Sequence, residues 1–236
     1  MKHTKAKTLG VIGGFGPLAT ALFLELIVRH TKAKTDQEHL DIILYHMPRT
    51  PDRTKYILGE SDQNPLPILE TYAKKLEAEG ADVIAVPCVT FSYFFEPLLQ
   101  SLRAELIHPI RETVKTLSAR GTQKVGIMAT SGTLYTNLFQ RELEQAGISW
   151  MAPSPDSQAN IMDMIYAGVK AGIDVPPERL QQEAEHFLAA GCDAVILGCT
   201  ELSIIRNQGS FDSRYFDVLE ILAKSSIQTC GRALTE

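Results

Sequence analysis

Two cysteines of this chain stand in matching surroundings. Gly80-Ala-Asp-Val-Ile-Ala-Val-Pro-Cys88 and Gly191-Cys-Asp-Ala-Val-Ile-Leu-Gly-Cys199 each carry a Gly, an Asp two places on, an apolar run, and a Cys eight places after the Gly. A thiol has an ordinary pKa of about 8.5, and a neighbouring helix N-terminus lowers it. Two such groups on opposite sides of one carbon could take a proton from one face and deliver one to the other. A single Cys in an apolar strand is usually an inert core residue. That reading suits Cys192 and Cys230, which have no counterpart in the other stretch. The repeated placement singles out Cys88 and Cys199. Thr90 and Thr200 follow them closely, where a hydroxyl could cap a helix or donate to a ligand.

Other candidates lie in turns. Gly14-Phe-Gly-Pro-Leu-Ala19 matches the G-x-G-x-x-A fingerprint of dinucleotide sites. Such a site also wants an acid at the end of the second strand, and here that strand runs into Tyr45-His46-Met47. The turn is better read as backbone N–H groups, Gly14's among them, offered to a carboxylate at a helix N-terminus. Thr130-Ser-Gly-Thr133 holds the equivalent place in the second half. Thr130 and Thr133 there could cap a helix and also cradle an anion. Arg53, in Pro51-Asp-Arg-Thr54, is either solvated surface or a carboxylate clamp. Lys170, in Gly168-Val-Lys-Ala-Gly172, sits near a helix end, where the helix dipole favours a cation. The histidines show no H-x-x-x-H or H-E-x-x-H spacing and the cysteines no C-x-x-C pair, so no metal site is expected.

The elements that must carry these groups alternate strand and helix. Strands are expected at 8–13, 40–46, 81–87, 105–107, 124–129, 148–151 and 192–197. Their continuous apolar runs fit strands buried on both faces. Helices are expected at 17–30, 65–79, 91–102, 110–120, 134–146, 156–171, 177–190 and 200–207, with a loop over 48–59 and a strand-then-helix tail over 215–230. Gly10, Gly16, Leu18 and Thr20 match Gly126, Gly132, Leu134 and Thr136 at an offset of 116, and the cysteine stretches match at 111. Two correspondences at nearly one offset indicate an internal duplication. The expected fold is α/β, with two similar doubly wound domains and a cleft between them. Residues 1–112 with 208–236 would form the first and 113–207 the second.

Composition bounds the function. The 236 residues are 44% hydrophobic and 22% charged, with a net charge of -5. That balance is ordinary for a globular protein and leaves no basic footprint for nucleic acid. No apolar run approaches the ~18 residues of a membrane span. The N-terminus, Met1 to Thr8, is polar and basic and does not resemble a signal peptide. Four cysteines without a disulfide pattern point to reduced thiols in the cytoplasm.

Together these residues resemble the cofactor-independent aspartate/glutamate racemases. The resemblance runs through Gly13-Gly-Phe-Gly-Pro-Leu-Ala-Thr20, Asp36-Gln-Glu-His39, Pro51-Asp-Arg-Thr54, Tyr56-Ile-Leu-Gly59, Pro87-Cys88, Tyr166 to Gly172, and Gly198-Cys-Thr-Glu-Leu202. It implies a homodimer, no cofactor, an acidic amino acid as substrate, and Cys88 and Cys199 as paired bases and acids. It implies that Arg53 and Lys170 hold the side-chain carboxylate and that Thr90 and Thr130 lie near the α-carboxylate. Glu201 matches the aspartate-type members. Around Cys88 the chain departs from the family pattern Pro-Cys-Asn-Thr-Ala-His: Val89, Phe91 and Ser92 replace Asn, Ala and His. That departure keeps two alternatives open, an isomerase, decarboxylase or racemase of another small carboxylic acid in the same superfamily and a non-catalytic acidic-amino-acid-binding protein.

Overall fold

A computed structural model describes residues 6–235. The first half runs β1 (Leu9–Gly13), α1 (Pro17–His30), β2 (Ile42–His46), α2 (Arg53–Ile57), α3 (Leu66–Ala78), β3 (Val83–Ala85), α4 (Phe95–Leu99) and β4 (Glu105–Leu106). Then come α5 (Pro109–Ala119), β5 (Lys124–Met128), α6 (Ser131–Tyr135), α7 (Leu138–Gln145), β6 (Ser149–Met151), α8 (Pro155–Asp163), α9 (Pro177–Ala189), β7 (Ala194–Leu197), α10 (Thr200–Asn207), β8 (Tyr215–Asp217) and α11 (Val218–Thr229).

Two parallel sheets result, ordered β2-β1-β3-β4 and β6-β5-β7-β8. The order is the same in both halves, and in each the cysteine-bearing strand lies beside the first strand. Strand periodicity divides the core. Leu9, Val11, Val83 and Ala85 face α1 and α11. Ile12 and Ile84 face the opposite side, with Leu69, Ala73 and Leu76 of α3. In the second sheet, Val125 and Ile127 pack with α5 and α7, while Met128 and Val195 pack with α8 and α9. Both faces are covered, which is why these strands read as continuous apolar runs.

The glycines matched between the halves do the same work in each. A Cβ on Gly10 would lie 2.9 Å from Ala81 and 3.0 Å from Leu76 of α3. One on Gly126 would lie 2.3 Å from Phe187 of α9. Each glycine thus lets the helix that precedes the cysteine strand settle onto the sheet.

Several expectations change. The helix expected over 91–102 is a 3-10 turn, Val89–Phe94, followed by the short α4, and the one expected over 134–146 starts earlier and breaks at left-handed Asn137 between α6 and α7. The loop after β2 contains a helical turn, α2, nucleated by Asp52, whose carboxylate accepts from the Lys55 N–H at 3.0 Å. The helix expected over 156–171 stays regular only to Asp163. It passes through a π turn, Met164–Gly168, and a 3-10 turn, Val169–Ala171, and ends on left-handed Gly172. The tail expected to return whole to the first domain is divided. Strand β8 pairs with β7 in the second sheet, and α11 then crosses to pack on α1. The chain turns into α11 at Val218 because Asp217 caps that helix, its carboxylate accepting from the Leu219 and Glu220 N–H groups. Residues 1–5 and 236 of the expected first domain lie outside the described residues.

Candidate active site

The two cysteines end matched strands. Cys88 precedes a 3-10 turn, Val89–Phe94, and Cys199 is the N-cap of α10. Both are 6% exposed and free. They line one narrow chamber between the sheets, with about 10 Å³ of free space. Arg53, Val89, Thr90, Thr130, Lys170, Thr200 and Glu201 line it too, so most of the residues singled out in the sequence meet there. Ligands of open α/β sheets bind at the carboxyl ends of strands, and each sheet here turns that edge to the other.

The side chains form three linked groups. Around Cys199, the thiol donates to Glu201 Oε2 at 2.9 Å, and the Thr200 hydroxyl donates to the same oxygen at 3.3 Å. Glu201 Oε1 pairs with Lys170 Nζ at 3.2 Å. Burial, and next the charge of Glu201, push the Cys199 thiol well above its ordinary pKa. Burial works against the Lys170 charge, but Glu201 and then Cys199 outweigh it and raise its pKa.

Around Cys88, Arg53 is nearly buried. Its Nη1 donates to the Pro51 carbonyl at 3.0 Å and its Nη2 to the Phe15 carbonyl at 3.4 Å. Its guanidinium lies 5.3 Å from the ring centres of both Phe15 and Phe91, and those rings pack at 4.4 Å. Burial opposes this charge as well, yet Cys88 and Asp52 beside it hold its pKa above the usual value. Phe91, bulky where the resembled family has Ala, therefore helps to seat the cation. Val89 lines the chamber and packs back on Ile110 and Val114. Ser92 is buried, and its hydroxyl has no hydrogen-bond partner among the described residues.

The third group is a triangle of hydroxyls. Thr90 lies 3.2 Å from Thr130 and 3.0 Å from Thr133, and Thr130 lies 3.0 Å from Thr133. Thr130 also caps α6, accepting from the Thr133 N–H. One member comes from the first half and two from the second, so the triangle exists only when the sheets are packed.

Gly14 does not join the chamber. It lines an adjoining cavity, and its N–H donates to the Thr20 hydroxyl at 2.8 Å. A Cβ there would lie 2.4 Å from the Met47 backbone, so this glycine serves chain crossing rather than anion binding. Gly16 instead matters to the site. Its φ is 114°, and a Cβ on it would lie 2.7 Å from Glu201 Oε1. Its counterpart Gly132 makes room for Thr54 at 2.9 Å. The matched glycines thus admit a residue of the opposite half. Gly16→Ala is expected to displace Glu201 from Lys170 and Cys199 and to destabilise by about 1–3 kcal/mol through strain and overpacking. Thermal unfolding and kcat/KM should fall together; a variant with wild-type values of both would contradict this role.

Sequence reasoning passed over Asp52 and Tyr166 as site residues. Both line the chamber, and the Tyr166 hydroxyl donates to Asp52 at 3.1 and 3.2 Å. Burial and the charge of Asp52 push the phenol up to about 12. Burial would raise the Asp52 pKa, but the Lys55 N–H and the Arg53 charge hold it below the usual range. The signal was present in Pro51-Asp-Arg-Thr54 and in Tyr166 to Gly172, whose partners 114 positions apart no local pattern connects. Among the described residues no three His, Cys, Asp or Glu side chains are grouped to hold a metal ion.

Comparison with known proteins agrees with this geometry. The family model described as Asp/Glu/Hydantoin racemase matches residues 12–225. The broad specificity amino-acid racemase RacX of Bacillus subtilis (strain 168) is 24% identical over 226 residues, 94% of this chain and 97% of its own. The aspartate racemase of Picrophilus torridus superposes with a TM-score of 0.84 at 26% identity, covering 97% of this chain and 96% of that one. An aspartate racemase homologue from Pyrococcus horikoshii OT3 gives 0.77 at 24% identity, over 95% of this chain and 99% of that one.

Proposed function

The chain belongs to the Asp/Glu/hydantoin racemase family, and from that premise we propose that it is a cofactor-independent racemase of acidic amino acids with Cys88 and Cys199 as its two acid–base groups. The observation that carries the reading is a pair of thiols from matched strand ends lining one buried chamber with two cations.

The α-hydrogen of an amino acid is a weak acid, and inversion needs groups on both faces. In one direction the Cys88 thiolate, facing the Arg53 guanidinium, removes the proton while the Cys199 thiol delivers its own. In the other direction Cys199 is the base. It reaches that state by passing its proton along its hydrogen bond to Glu201, whose charge Lys170 balances. The pair therefore exchanges roles with direction. The carbanionic intermediate is stabilised by donors fixed in advance around its carboxylate. Thr90 and Thr130 offer chamber hydroxyls for this, braced by Thr133, which bonds to both; Thr200, which also lines the chamber, holds Glu201. Arg53 and Lys170 receive the side-chain carboxylate. Val89 supplies no hydrogen bond where an amide would, a loss of about 1.5–3 kcal/mol for a bond to a charged group, and the hydroxyl triangle beside it offers replacement donors.

Aspartate is the first substrate to test, in keeping with the Picrophilus relative, and glutamate the second. The same proposal places the chain in the cytoplasm, as a homodimer acting on a small molecule. Four free cysteines suit a reducing compartment, and no described helix is long and apolar enough to cross a membrane. The test is incubation of each enantiomer in deuterium oxide, followed by proton NMR and chiral chromatography. Deuterium should enter at the α-carbon and both enantiomers should appear. Absence of exchange with every acidic amino acid would refute the proposal.

A further inference from the structure

A cavity of about 420 Å³ opens beside the two-cysteine chamber. Phe15, Asp52, Arg53, Lys170 and Glu201 line both spaces and form their common wall. Beyond the wall the lining is mainly apolar, with Pro17, Leu18 and Ala19 from the first turn of α1, Val169, and Ile204 of α10, and Thr50 as its polar side chain. The chamber is narrow, and that wall divides it from the larger cavity. Lys170 is the looser half of its ion pair, its side chain 22% exposed against 3% for Glu201. It rides on a single 3-10 turn between Gly168 and Gly172. Its side chain is one of the five that stand between the two spaces.

The wall is already balanced in charge. Lys170 is paired with Glu201, and Arg53 donates to two carbonyls between two aromatic rings. Both cations thus keep partners when the substrate side chain is neutral, while an acidic side chain adds its carboxylate to them. Resting on the racemase reading, we propose that the outer cavity is a side-chain subsite for neutral amino acids with long, unbranched apolar side chains, such as norleucine and methionine. The α-carbon sits between the thiols, the stem passes the wall, and the end lies against α1 and Ile204. An acidic substrate instead keeps its side-chain carboxylate at Arg53 and Lys170 in the wall. Each methylene buried in the subsite favours binding by roughly fourfold.

The test measures α-hydrogen exchange in deuterium oxide for aspartate, alanine, 2-aminobutyrate, norvaline, norleucine and methionine. It compares the wild type with Leu18→Trp. Leu18 is 57% exposed and lines only the outer cavity, so indole bulk there narrows the subsite without touching the core. For the wild type, kcat/KM should rise along the neutral series. For Leu18→Trp, the ratio of norleucine to aspartate should fall at least tenfold, with Leu18→Phe between the two. Exchange of aspartate with none of the neutral substrates would overturn the subsite and leave the racemase reading standing. So would norleucine turnover whose ratio to aspartate ignores both variants. Absence of exchange with every substrate would remove the reading on which the subsite rests.

Discussion

Cys88→Ser and Cys199→Ser are each expected to abolish net inversion of aspartate, lowering kcat/KM for racemisation by ~10³-fold or more, since one positioned acid–base group contributes about 10²–10⁴. A serine hydroxyl does not ionise where a thiol does, so each variant keeps a working group on one face only. Solvent deuterium should then enter from one enantiomer without appearance of the other. Cys192→Ser and Cys230→Ser serve as comparisons, because both thiols lie in the hydrophobic cores and line neither cavity. Their rates per folded molecule should match the wild type. A serine variant at either paired position that racemises within tenfold of wild type would refute the two-thiol mechanism. The wild-type pH profile carries a sign as well. Burial and Glu201 hold Cys199 protonated well above the ordinary thiol range. The direction that uses Cys199 as acid should therefore hold its rate with pH beyond ~8.5, the ordinary thiol value, because that thiol still carries its proton there. A loss of that rate beginning at the ordinary thiol value would count against the arrangement.

Glu201→Gln should have the next largest effect, in stability and rate together. Removing one partner of a buried ion pair costs ~3–5 kcal/mol. Here roughly 2–4 kcal/mol is expected, because Lys170 keeps about a fifth of its side chain in water. Lys170 titrates higher in the folded protein than in the unfolded chain. Its stabilisation is fully present below the unfolded value of about 10.4 and is lost as pH rises through the folded one. The gap between wild type and variant should be constant from neutral pH to mild alkali and close beyond it, as read by urea unfolding. The amide also removes the negative charge that helps to raise Cys199, so the alkaline fall in the direction using Cys199 as acid should move toward acid. Unchanged stability and an unchanged profile would show that Glu201 is not coupled to either neighbour.

The continuous apolar runs made both sheets readable, since strands covered on two faces carry no alternation to obscure them. The pairs Gly10/Gly126 and Gly16/Gly132 made the duplication readable, because in each pair a side chain would meet a neighbour in the fold. Local pattern failed where a segment is irregular. Nothing in 156–171 announces the π turn that sets Tyr166 and Lys170, and nothing in 48–59 but Asp52 announces α2.

What the sequence determined by itself was the inventory: two strand-end thiols, a cation in each half, and paired turns carrying Gly and Thr. These rest on spacing along one chain, which elementary periodicity can read. Only the tertiary structure decided who partners whom. The Gly14 N–H is spent on Thr20, Phe91 seats Arg53, and Asp52 receives Tyr166. Glu201 fills the space that Gly16 leaves. The physical reason is that all of these but the local Gly14 bond cross between the halves or between distant turns. Hydrogen bonds, charges and excluded volume act through space, and their pairing is fixed only when both sheets have packed.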